Sequence, residues 1–319
     1  MKRYLVTGGC GFIGSHLVDE LSKKNEVIIL DIGSRKNRPK WDKNVGIVNG
    51  DIRDYELVKT LTKNVDCVFH LAAQTRVPDS IKDPHFDVHN NIVGTLNILN
   101  AALESDKNNI RIVFSSSGAV YGDPEYTPID ENHPTNPKSP YGVSKLACEK
   151  YCRVFHETYG LKTIALRFFN VYGPRSRKGV IYEFISRLLR GKPLEIHGTG
   201  KQMRDFVYVK DIVLGNILAS KSHAWGKVFN IGTGEGTRIT ELANLLAEKI
   251  NGNRKTSVLK YTLPRPGDVK KSFANTERAK RSLAYKSMYP LEKGLDETIN
   301  WLRKGVCENG LVHSSPCSR

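Results

Sequence analysis

The first half of the chain alternates short apolar runs with longer segments in which apolar residues recur every three or four positions. Runs rich in β-branched residues predict strands, and the longer spacing predicts helices. Strands are predicted at 3–7, 26–30, 45–49, 65–70, 110–115 and 162–168, and helices at 12–23, 55–62, 86–104 and 141–159. Because strands this apolar need cover on both faces, the pattern predicts an α/β fold with a doubly wound parallel sheet.

Beyond about residue 172 the alternation weakens, and glycine and proline turns become frequent. Helices are predicted there at 180–190, 210–219, 239–251 and 291–303. We therefore predict a first domain over 1–171, to which the chain returns around 205–235, and a smaller region mainly over 172–304. Residues 305–319 are polar and show no periodicity, so they are predicted to be a disordered tail or a segment left from cloning.

Composition narrows the classes of protein that fit this pattern. The chain has 319 residues, 39% of them hydrophobic, which is enough for a substantial core. No apolar run is long enough to cross a membrane and the first residues do not form a signal peptide, so a cytoplasmic protein with no membrane partner is expected. The net charge of +16 favours anionic partners. The basic residues are not interleaved with aromatics, and no specific nucleic-acid binding is predicted.

Neither a disulfide framework nor a metal site is predicted. The six cysteines are scattered and contain no Cys-x-x-Cys pair, so they are interpreted as reduced thiols. His85 and His89, and likewise Cys148 and Cys152, are spaced to share a helix face, but neither pair has a second pair to complete a tetrahedral site.

Three glycines follow the first predicted strand and open the first predicted helix. Gly8, Gly11 and Gly14 have the spacing Gly-x-x-Gly-x-x-Gly, which permits a tight turn and close approach of the backbone to a pyrophosphate. Phosphate would then lie at the positive end of the helix. This position between strand and helix favours a nucleotide-binding loop over a purely structural glycine turn.

Asp31 ends the second predicted strand, twenty residues after Gly11 (31 − 11). A carboxylate at this distance accepts hydrogen bonds from ribose hydroxyls and favours NAD over NADP. Arg35 and Lys36 lie close enough to meet a 2′-phosphate, but their polar loop favours a solvated role.

Tyr141 and Lys145 are four residues apart in a segment predicted to be helical, and so share one face. An ammonium near the phenol would lower its pKa and make Tyr141 a usable general base. The spacing by itself is also typical of an ordinary helix surface.

Several further motifs occur in a fixed order along the chain. They are Asp51-Ile52, Leu71-Ala72-Ala73, Asn91 before Gly94-Thr95, and Ser115-Ser116-Ser117. Together with the glycine loop and the tyrosine–lysine pair, they resemble the extended short-chain dehydrogenases/reductases, and within them the UDP-glucose 4-epimerase group. The resemblance extends from residue 2 to about 301.

The resemblance implies a Rossmann-like NAD-binding domain and a smaller C-terminal α/β nucleotide-sugar-binding domain. It implies Ser117, Tyr141 and Lys145 as catalytic residues, with Lys145 also on the nicotinamide ribose. The implied cofactor contacts are Gly8, Gly11, Phe12, Ile13, Gly14, Asp31, Asp51, Ile52, Leu71, Ala72, Ala73, Asn91, Ser115, Tyr141 and Lys145. It further implies a homodimer through the helices at 86–104 and 141–159.

The same resemblance implies a UDP-sugar substrate. The implied substrate contacts are Ser117, Asn170, Arg204, Arg265, Asp268 and Ser272. Ser272 aligns with a position where a bulky residue limits the 2-substituent of the sugar, so a serine is expected to admit an N-acetyl group.

The implied activity is interconversion of UDP-glucose and UDP-galactose through a 4-keto intermediate, with the N-acetylhexosamine pair as further substrates. Related dehydratases and decarboxylases carry an acidic residue just before Val-Tyr-Gly, whereas residues 117–122 here contain none. This favours epimerisation and leaves a dehydratase, decarboxylase or reductase as alternatives. A non-catalytic nucleotide-binding protein is less favoured because Ser117, Tyr141 and Lys145 are all present.

Overall fold

The computed structural model describes residues 1–33, 39–105, 110–252, 259–264 and 269–308, the last four of these as backbone only. The strands are β1 (Arg3–Thr7), β2 (Glu26–Asp31), β3 (Val45–Asn49), β4 (Cys67–His70), β5 (Arg111–Ser117), β6 (Lys162–Phe168), β7 (Asn170–Tyr172), β8 (Leu194–His197), β9 (Met203–Arg204), β10 (Phe206–Tyr208), β11 (Val228–Ile231), β12 (Thr237–Arg238), β13 (Leu259–Thr262) and β14 (Lys271–Ser272). The helices are α1 (Phe12–Leu21), α2 (Tyr55–Thr62), α3 (Val77–Lys82), α4 (Pro84–Val88), α5 (Gly94–Leu103), α6 (Pro140–Tyr159), α7 (Val180–Leu188), α8 (Val209–Lys221), α9 (Ile239–Asn251), α10 (Glu277–Leu283) and α11 (Leu291–Glu308).

Seven strands form one parallel sheet in the order β11-β6-β5-β4-β1-β2-β3. Helices α1, α8 and α10 bury one face of this sheet, and α2, α5 and α6 bury the other. The predicted doubly wound α/β fold is therefore confirmed. Because all the strands run the same way, their carboxyl ends meet at one edge, where open parallel sheets bind ligands.

The six predicted strands of this sheet are present with small changes in their bounds. The seventh, β11, was not predicted as a strand. It has four residues and pairs only with β6 at the sheet edge, so it lacks the long apolar run of a central strand.

The helix predicted over 86–104 is in fact three pieces: α4, a π-helix over His89–Val93, and α5. The π turn contains an extra residue, and the Asn91 side chain within it bonds the Gln74 backbone outside the helix. Hydrophobic spacing does not reveal such an insertion. The short helices α3 and α10 were also missed, since six or seven residues are too few to show a period.

The predicted helix over 141–159 is confirmed as α6. It begins at Pro140, where a missing amide hydrogen costs nothing, and the Ser139 hydroxyl accepts a hydrogen bond from the Gly142 amide at 3.2 Å. It ends before Gly160, whose φ of 71° is in the left-handed region. Both helix signals are local, which is why the sequence located this helix well.

The chain beyond β6 adds a second core. Helices α7, α9 and α11 pack around the parallel pair β8–β13 and the strand β10. Two further small sheets are β7–β10 and β9 with β12 and β14. Helix α11 continues to Glu308, past the predicted end at 303, and the remainder of the predicted tail lies outside the described residues. No helix in the described ranges combines the length and apolarity needed to cross a bilayer.

Candidate active site

The loop between β1 and α1 brings backbone groups unusually close together. Gly8 has φ +70°, and its amide donates to the carbonyl oxygen of Leu30 at 2.8 Å. A Cβ on Gly14 would lie 2.2 Å from the Gly8 carbonyl oxygen. Helix α1 starts after Gly11 with no acidic residue in its first turn, so its positive end is not neutralised locally. This geometry fits the pyrophosphate of a dinucleotide.

Phe12 and Ile13 form the first turn of α1. Both are partly buried and pack against the second core, and Ile13 also contacts the core of the large sheet. They join the two parts of the molecule directly behind the glycine loop.

The predicted ribose ligand, Asp31, lies at the end of β2 beside that loop. One carboxylate oxygen accepts from the Cys10 amide at 3.0 Å, and the other accepts from the Gly33 amide at 3.2 Å. These bonds fix the carboxylate at the loop. Arg35 and Lys36 lie outside the described residues.

Asp51 is held by its neighbour Arg53. The guanidinium donates two hydrogen bonds to one carboxylate oxygen, at 3.0 and 2.7 Å, and these bonds hold the pKa of Asp51 below its usual value. Ile52 is buried and fills the space beside Gly94, where a Cβ would lie 2.4 Å from its Cδ1. These two implied cofactor contacts thus lie at the carboxyl side of β3, on the same sheet edge.

The segment Leu71-Ala72-Ala73 leaves β4 against the glycine loop. The Thr7 hydroxyl accepts from the Ala72 amide at 3.2 Å, and a Cβ on Gly8 would lie 2.8 Å from that same amide nitrogen. Since any side chain at Gly8 would separate the two segments, the contact explains why a glycine is needed there.

Asn91 connects several elements from within the π-helix. Its side-chain nitrogen donates to the Asp87 carboxylate at 3.0 Å, and its side-chain oxygen accepts from the Gln74 backbone amide at 2.8 Å. Its backbone carbonyl oxygen accepts from the Thr95 hydroxyl at 2.6 Å and from the Cys148 thiol at 3.3 Å. Asn91 therefore links the π-helix to α6 and to the segment that follows β4.

Ser117 and Tyr141 meet at the carboxyl end of β5. The Ser117 hydroxyl accepts from the Ala119 amide at 3.1 Å and starts a short 3-10 turn over Gly118–Val120. Burial raises the pKa of Tyr141 to about 12, while hydrogen bonding to Ser117 acts in the opposite direction. A hydroxyl and a phenol are thus paired at this end of the sheet.

Lys145 is held beside this pair by the end of β5, and its predicted action on the Tyr141 pKa stays a prediction. The Lys145 ammonium donates to the carbonyl oxygen of Ser115 at 2.8 Å and lies 4.8 Å from the centroid of the Phe114 ring and 6.0 Å from that of the Tyr141 ring. Burial lowers the pKa of Lys145 to about 8. The lysine is thus anchored to β5, and the pKa of Tyr141 lies above its usual value because the phenol is buried.

A buried ion pair lies one turn further along α6. The Arg167 guanidinium donates to both carboxylate oxygens of Glu149, at 2.9 and 2.6 Å, and Ser116 donates to one of them at 2.5 Å. Arg167 also lies over the Tyr121 ring, 4.6 Å from its centroid. These contacts fix α6, which carries Tyr141 and Lys145, to β6 and to β5, which carries Ser117.

Three of the predicted substrate residues lie on short strands, Asn170 on β7, Arg204 on β9 and Ser272 on β14. Ser272 on β14 is directly opposite Arg204 on β9. Asn170 is exposed at the start of β7, and its amide nitrogen donates to the carbonyl oxygen of Asp205 at 3.3 Å. Arg265 and Asp268 lie outside the described residues.

The segment after β14 also reaches the loop that follows Ser117. The backbone amide of Ile129 donates to the carbonyl oxygen of Phe273 at 2.9 Å. The backbone amide of Asn275 donates to the carbonyl oxygen of Ile129 at 2.6 Å. Residue 272 is therefore tied, through its neighbours, to the segment that carries the serine–tyrosine pair.

Sequence reasoning missed three buried acids that organise this region. Asp87 and Asp205 are fully buried and Glu149 is 3% exposed. Asp205 accepts from the Thr233, Gly234 and Ala274 amides at 2.9 to 3.1 Å. The sequence offered one signal, an acidic residue next to apolar positions that are predicted to be buried. Because an acidic residue is almost never buried without a partner, such a position indicates a hydrogen-bonded or paired carboxylate.

In the described part of the chain, no group of three or more histidine, cysteine, aspartate or glutamate side chains is arranged to hold a metal ion.

Comparison with known proteins finds relatives along nearly the whole chain. A family model described as the NAD dependent epimerase/dehydratase family matches residues 4–232. The putative UDP-glucose 4-epimerase of Methanocaldococcus jannaschii is 41% identical over 307 residues, covering 94% of this chain and 98% of the relative. UDP-glucuronic acid decarboxylase 1 of Xenopus tropicalis is 31% identical, covering 95% of this chain and 72% of the relative.

Two solved structures share the fold over nearly the whole chain. One is UDP-N-acetylglucosamine 4-epimerase from Methanobrevibacter ruminantium M1 in complex with UDP-N-acetylmuramic acid, with 38% identity and a TM-score of 0.87. The other is UDP-glucose 4-epimerase from Thermotoga maritima with UDP-glucose, also with 38% identity and a TM-score of 0.87. Each comparison covers 95% of this chain and 99% of the solved one.

Proposed function

This chain belongs to the NAD dependent epimerase/dehydratase family, and we propose that it is a nucleotide-sugar 4-epimerase that interconverts UDP-glucose and UDP-galactose. NAD is the cofactor of the family, and the glycine loop, Asp31 and the segment around Ala72 lie at one sheet edge as such a dinucleotide requires.

The observation that carries the proposal is the pairing of Ser117 with Tyr141, beside Lys145, at the carboxyl end of β5. Ser117 would bind the 4-hydroxyl of the sugar and Tyr141 would take its proton. Bound NAD supplies the hydride acceptor, and its positive charge favours the phenolate form of Tyr141. The 4-keto sugar would then rotate, C4 would take the hydride back on its other face, and Tyr141 would return the proton to the 4-oxygen, so no net redox change results.

The turn after Ser117 favours epimerisation over elimination or decarboxylation. Gly118 and Ala119 occupy this turn, and a Cβ on Gly118 would lie 3.7 Å from the Phe168 carbonyl oxygen and the Phe169 ring. Neither residue carries a carboxylate, so this turn supplies no acid or base for a second chemical step.

We extend the proposal to the N-acetylhexosamine pair. Ser272 is small and partly buried, and it lies opposite Arg204, so the space beside a bound sugar is not filled by a bulky side chain there. The similarity to a UDP-N-acetylglucosamine 4-epimerase supports the same extension.

The proposed assembly is a homodimer through α6 and the helices beside it. The face of α6 turned away from the sheet exposes apolar side chains, with Val143 51%, Tyr151 39% and Val154 48% exposed. A stripe of this kind is typical of a helix that packs against a partner.

The test is separate incubation of the protein and NAD with UDP-glucose, UDP-galactose, their N-acetyl analogues and UDP-glucuronate, followed by chromatographic separation. Conversion of each of the first four sugars to its C4 epimer without accumulation of NADH supports the proposal. A deoxy sugar, release of carbon dioxide from UDP-glucuronate, net formation of NADH, or no conversion of any sugar would overturn it. The Tyr141→Phe variant provides the background rate.

A further inference from the structure

Asp87 is a buried carboxylate that lies against the catalytic segment of α6. It is 0% exposed, and its Oδ2 accepts a hydrogen bond from the Ser144 hydroxyl at 2.5 Å. Its Oδ1 accepts from the Asn91 amide nitrogen at 3.0 Å. Because Ser144 lies between Tyr141 and Lys145 in sequence, the carboxylate is fixed to the very turn of helix that carries both of them.

The other ionisable groups that face Lys145 are either uncharged near neutral pH or paired with an opposite charge. Burial raises the pKa of the Cys148 and Cys152 thiols, so both remain protonated. Burial lowers the pKa of His70 to about 3, so its ring is neutral. The Glu149 carboxylate is paired with the Arg167 guanidinium, which donates two hydrogen bonds to it.

Asp87, by contrast, is hydrogen-bonded only to the neutral side chains of Ser144 and Asn91 among the bonds described for it. It acts by Coulomb interaction on both catalytic candidates. Burial lowers the pKa of Lys145, and the negative charge of Asp87 opposes that lowering. Burial raises the pKa of Tyr141, and the same negative charge adds to that rise. A buried carboxylate without an opposite charge nearby would be costly, and the Lys145 ammonium supplies that charge without touching it.

We infer that Asp87 is a positioning residue whose fixed negative charge, held through Ser144, keeps Lys145 as an ammonium ion and sets the pH range in which Tyr141 can act as a base. It touches neither substrate nor cofactor in this role. The kinetic part of the inference rests on the proposed epimerase function. The charge effect itself concerns only the residues of this chain.

The kinetic test compares Asp87→Asn with Ser144→Ala over a range of pH. Loss of the charge makes the ammonium harder to keep and the phenolate easier to form, so in Asp87→Asn both the acid and the alkaline limbs of the rate profile move to lower pH, by roughly half a unit to one unit. Ser144→Ala removes the hydrogen bond and keeps the charge, so its rate falls while its limbs stay within a fraction of that shift. Unmoved limbs in Asp87→Asn, or equal movement in both variants, would overturn the inference.

A second measurement does not depend on turnover. The ionisation of Tyr141 is followed by ultraviolet absorbance during a pH titration. The Tyr141 signal with Asp87 present is the titration curve of the wild type minus that of Tyr141→Phe. The signal without Asp87 is the curve of Asp87→Asn minus that of the double variant Asp87→Asn/Tyr141→Phe. The expected result is ionisation of Tyr141 at lower pH without Asp87, and restoration of the wild-type value in Asp87→Glu. Identical titrations would refute the role of Asp87 even if the protein is an epimerase, and a shifted titration would support it even if no sugar is converted. Asp87→Ser, also uncharged, is titrated in parallel so that a folding defect in Asp87→Asn cannot decide the result.

Discussion

The Lys145 ammonium donates its hydrogen bond to the carbonyl oxygen of Ser115, at 2.8 Å, two residues before Ser117 on the same strand. Lys145 therefore fixes α6 to the end of β5, while the Tyr141 hydroxyl is met by Ser117. The two members of the Tyr-x-x-x-Lys pair consequently make different contacts and can be altered separately.

Replacing Tyr141 with phenylalanine should abolish most turnover. The variant loses the proton acceptor and keeps the ring, so we expect a fall in kcat of about a hundredfold to ten-thousandfold. NAD affinity, measured by titration of intrinsic fluorescence, should change little. The matched control is Tyr151→Phe, because Tyr151 is on the same helix and 39% exposed. Equal activity of Tyr141→Phe and Tyr151→Phe would remove Tyr141 from the mechanism.

Replacing Gly14 with alanine should impair NAD binding. The new Cβ would lie 2.2 Å from the Gly8 carbonyl oxygen and 2.8 Å from the Gly9 Cα, so the loop must move. We expect a loss of stability of about 1 to 3 kcal/mol and NAD affinity at least about tenfold weaker. The control is Gly46→Ala on β3, where a Cβ would meet nothing within 4 Å. Calorimetric NAD titration of the two variants makes the comparison, and unchanged affinity in Gly14→Ala would contradict the assigned loop.

Replacing Glu149 with glutamine should destabilise the fold strongly. The change leaves the buried Arg167 guanidinium without its carboxylate, and breaking a pair of this kind costs about 3 to 5 kcal/mol. Glu157 on the same helix pairs with Arg153 at 2.7 Å, but the two side chains are 53% and 60% exposed. Glu157→Gln should therefore cost less than about 1 kcal/mol. Urea unfolding compares the two variants, and similar midpoints would show that burial does not govern the strength of these pairs.

Replacing Ser272 with tyrosine should narrow the range of sugars. The large ring would occupy the space opposite Arg204, so conversion of the N-acetyl pair should fall at least about tenfold relative to the UDP-glucose pair. Ser272→Ala keeps a small side chain and should retain both activities. The ratio of kcat/KM for the two substrate pairs is the measurement, and an equal loss for both pairs would argue against a role in selectivity.

Replacing Val154 with glutamate should disrupt the proposed homodimer. A charge in the middle of the exposed apolar face of α6 would have to be buried at the interface, so the molar mass measured by light scattering should fall to that of one chain. Leu263→Glu is the control, since Leu263 is 85% exposed and lies elsewhere on the surface. A wild-type protein that is already monomeric would refute the interface directly.

The sequence by itself determined the parts of this protein that depend on local signals. Apolar runs predicted the first six strands of the sheet, Ser139, Pro140 and Gly160 delimited α6, and the glycine spacing predicted a tight loop between β1 and α1. These elements could be predicted because periodicity, helix capping and φ preference depend on residues that are close in sequence.

Only the tertiary structure decided which groups face one another. The π turn at Asn91, the edge strand β11, the bond from Lys145 to Ser115 and the burial of Asp87 all depend on residues distant in sequence. The same holds for the pKa of Tyr141, which follows from how much of the folded protein surrounds the phenol. Sequence spacing predicts that Tyr141 and Lys145 share a helix face, but the charge each group carries depends on desolvation and on partners that only folding brings near.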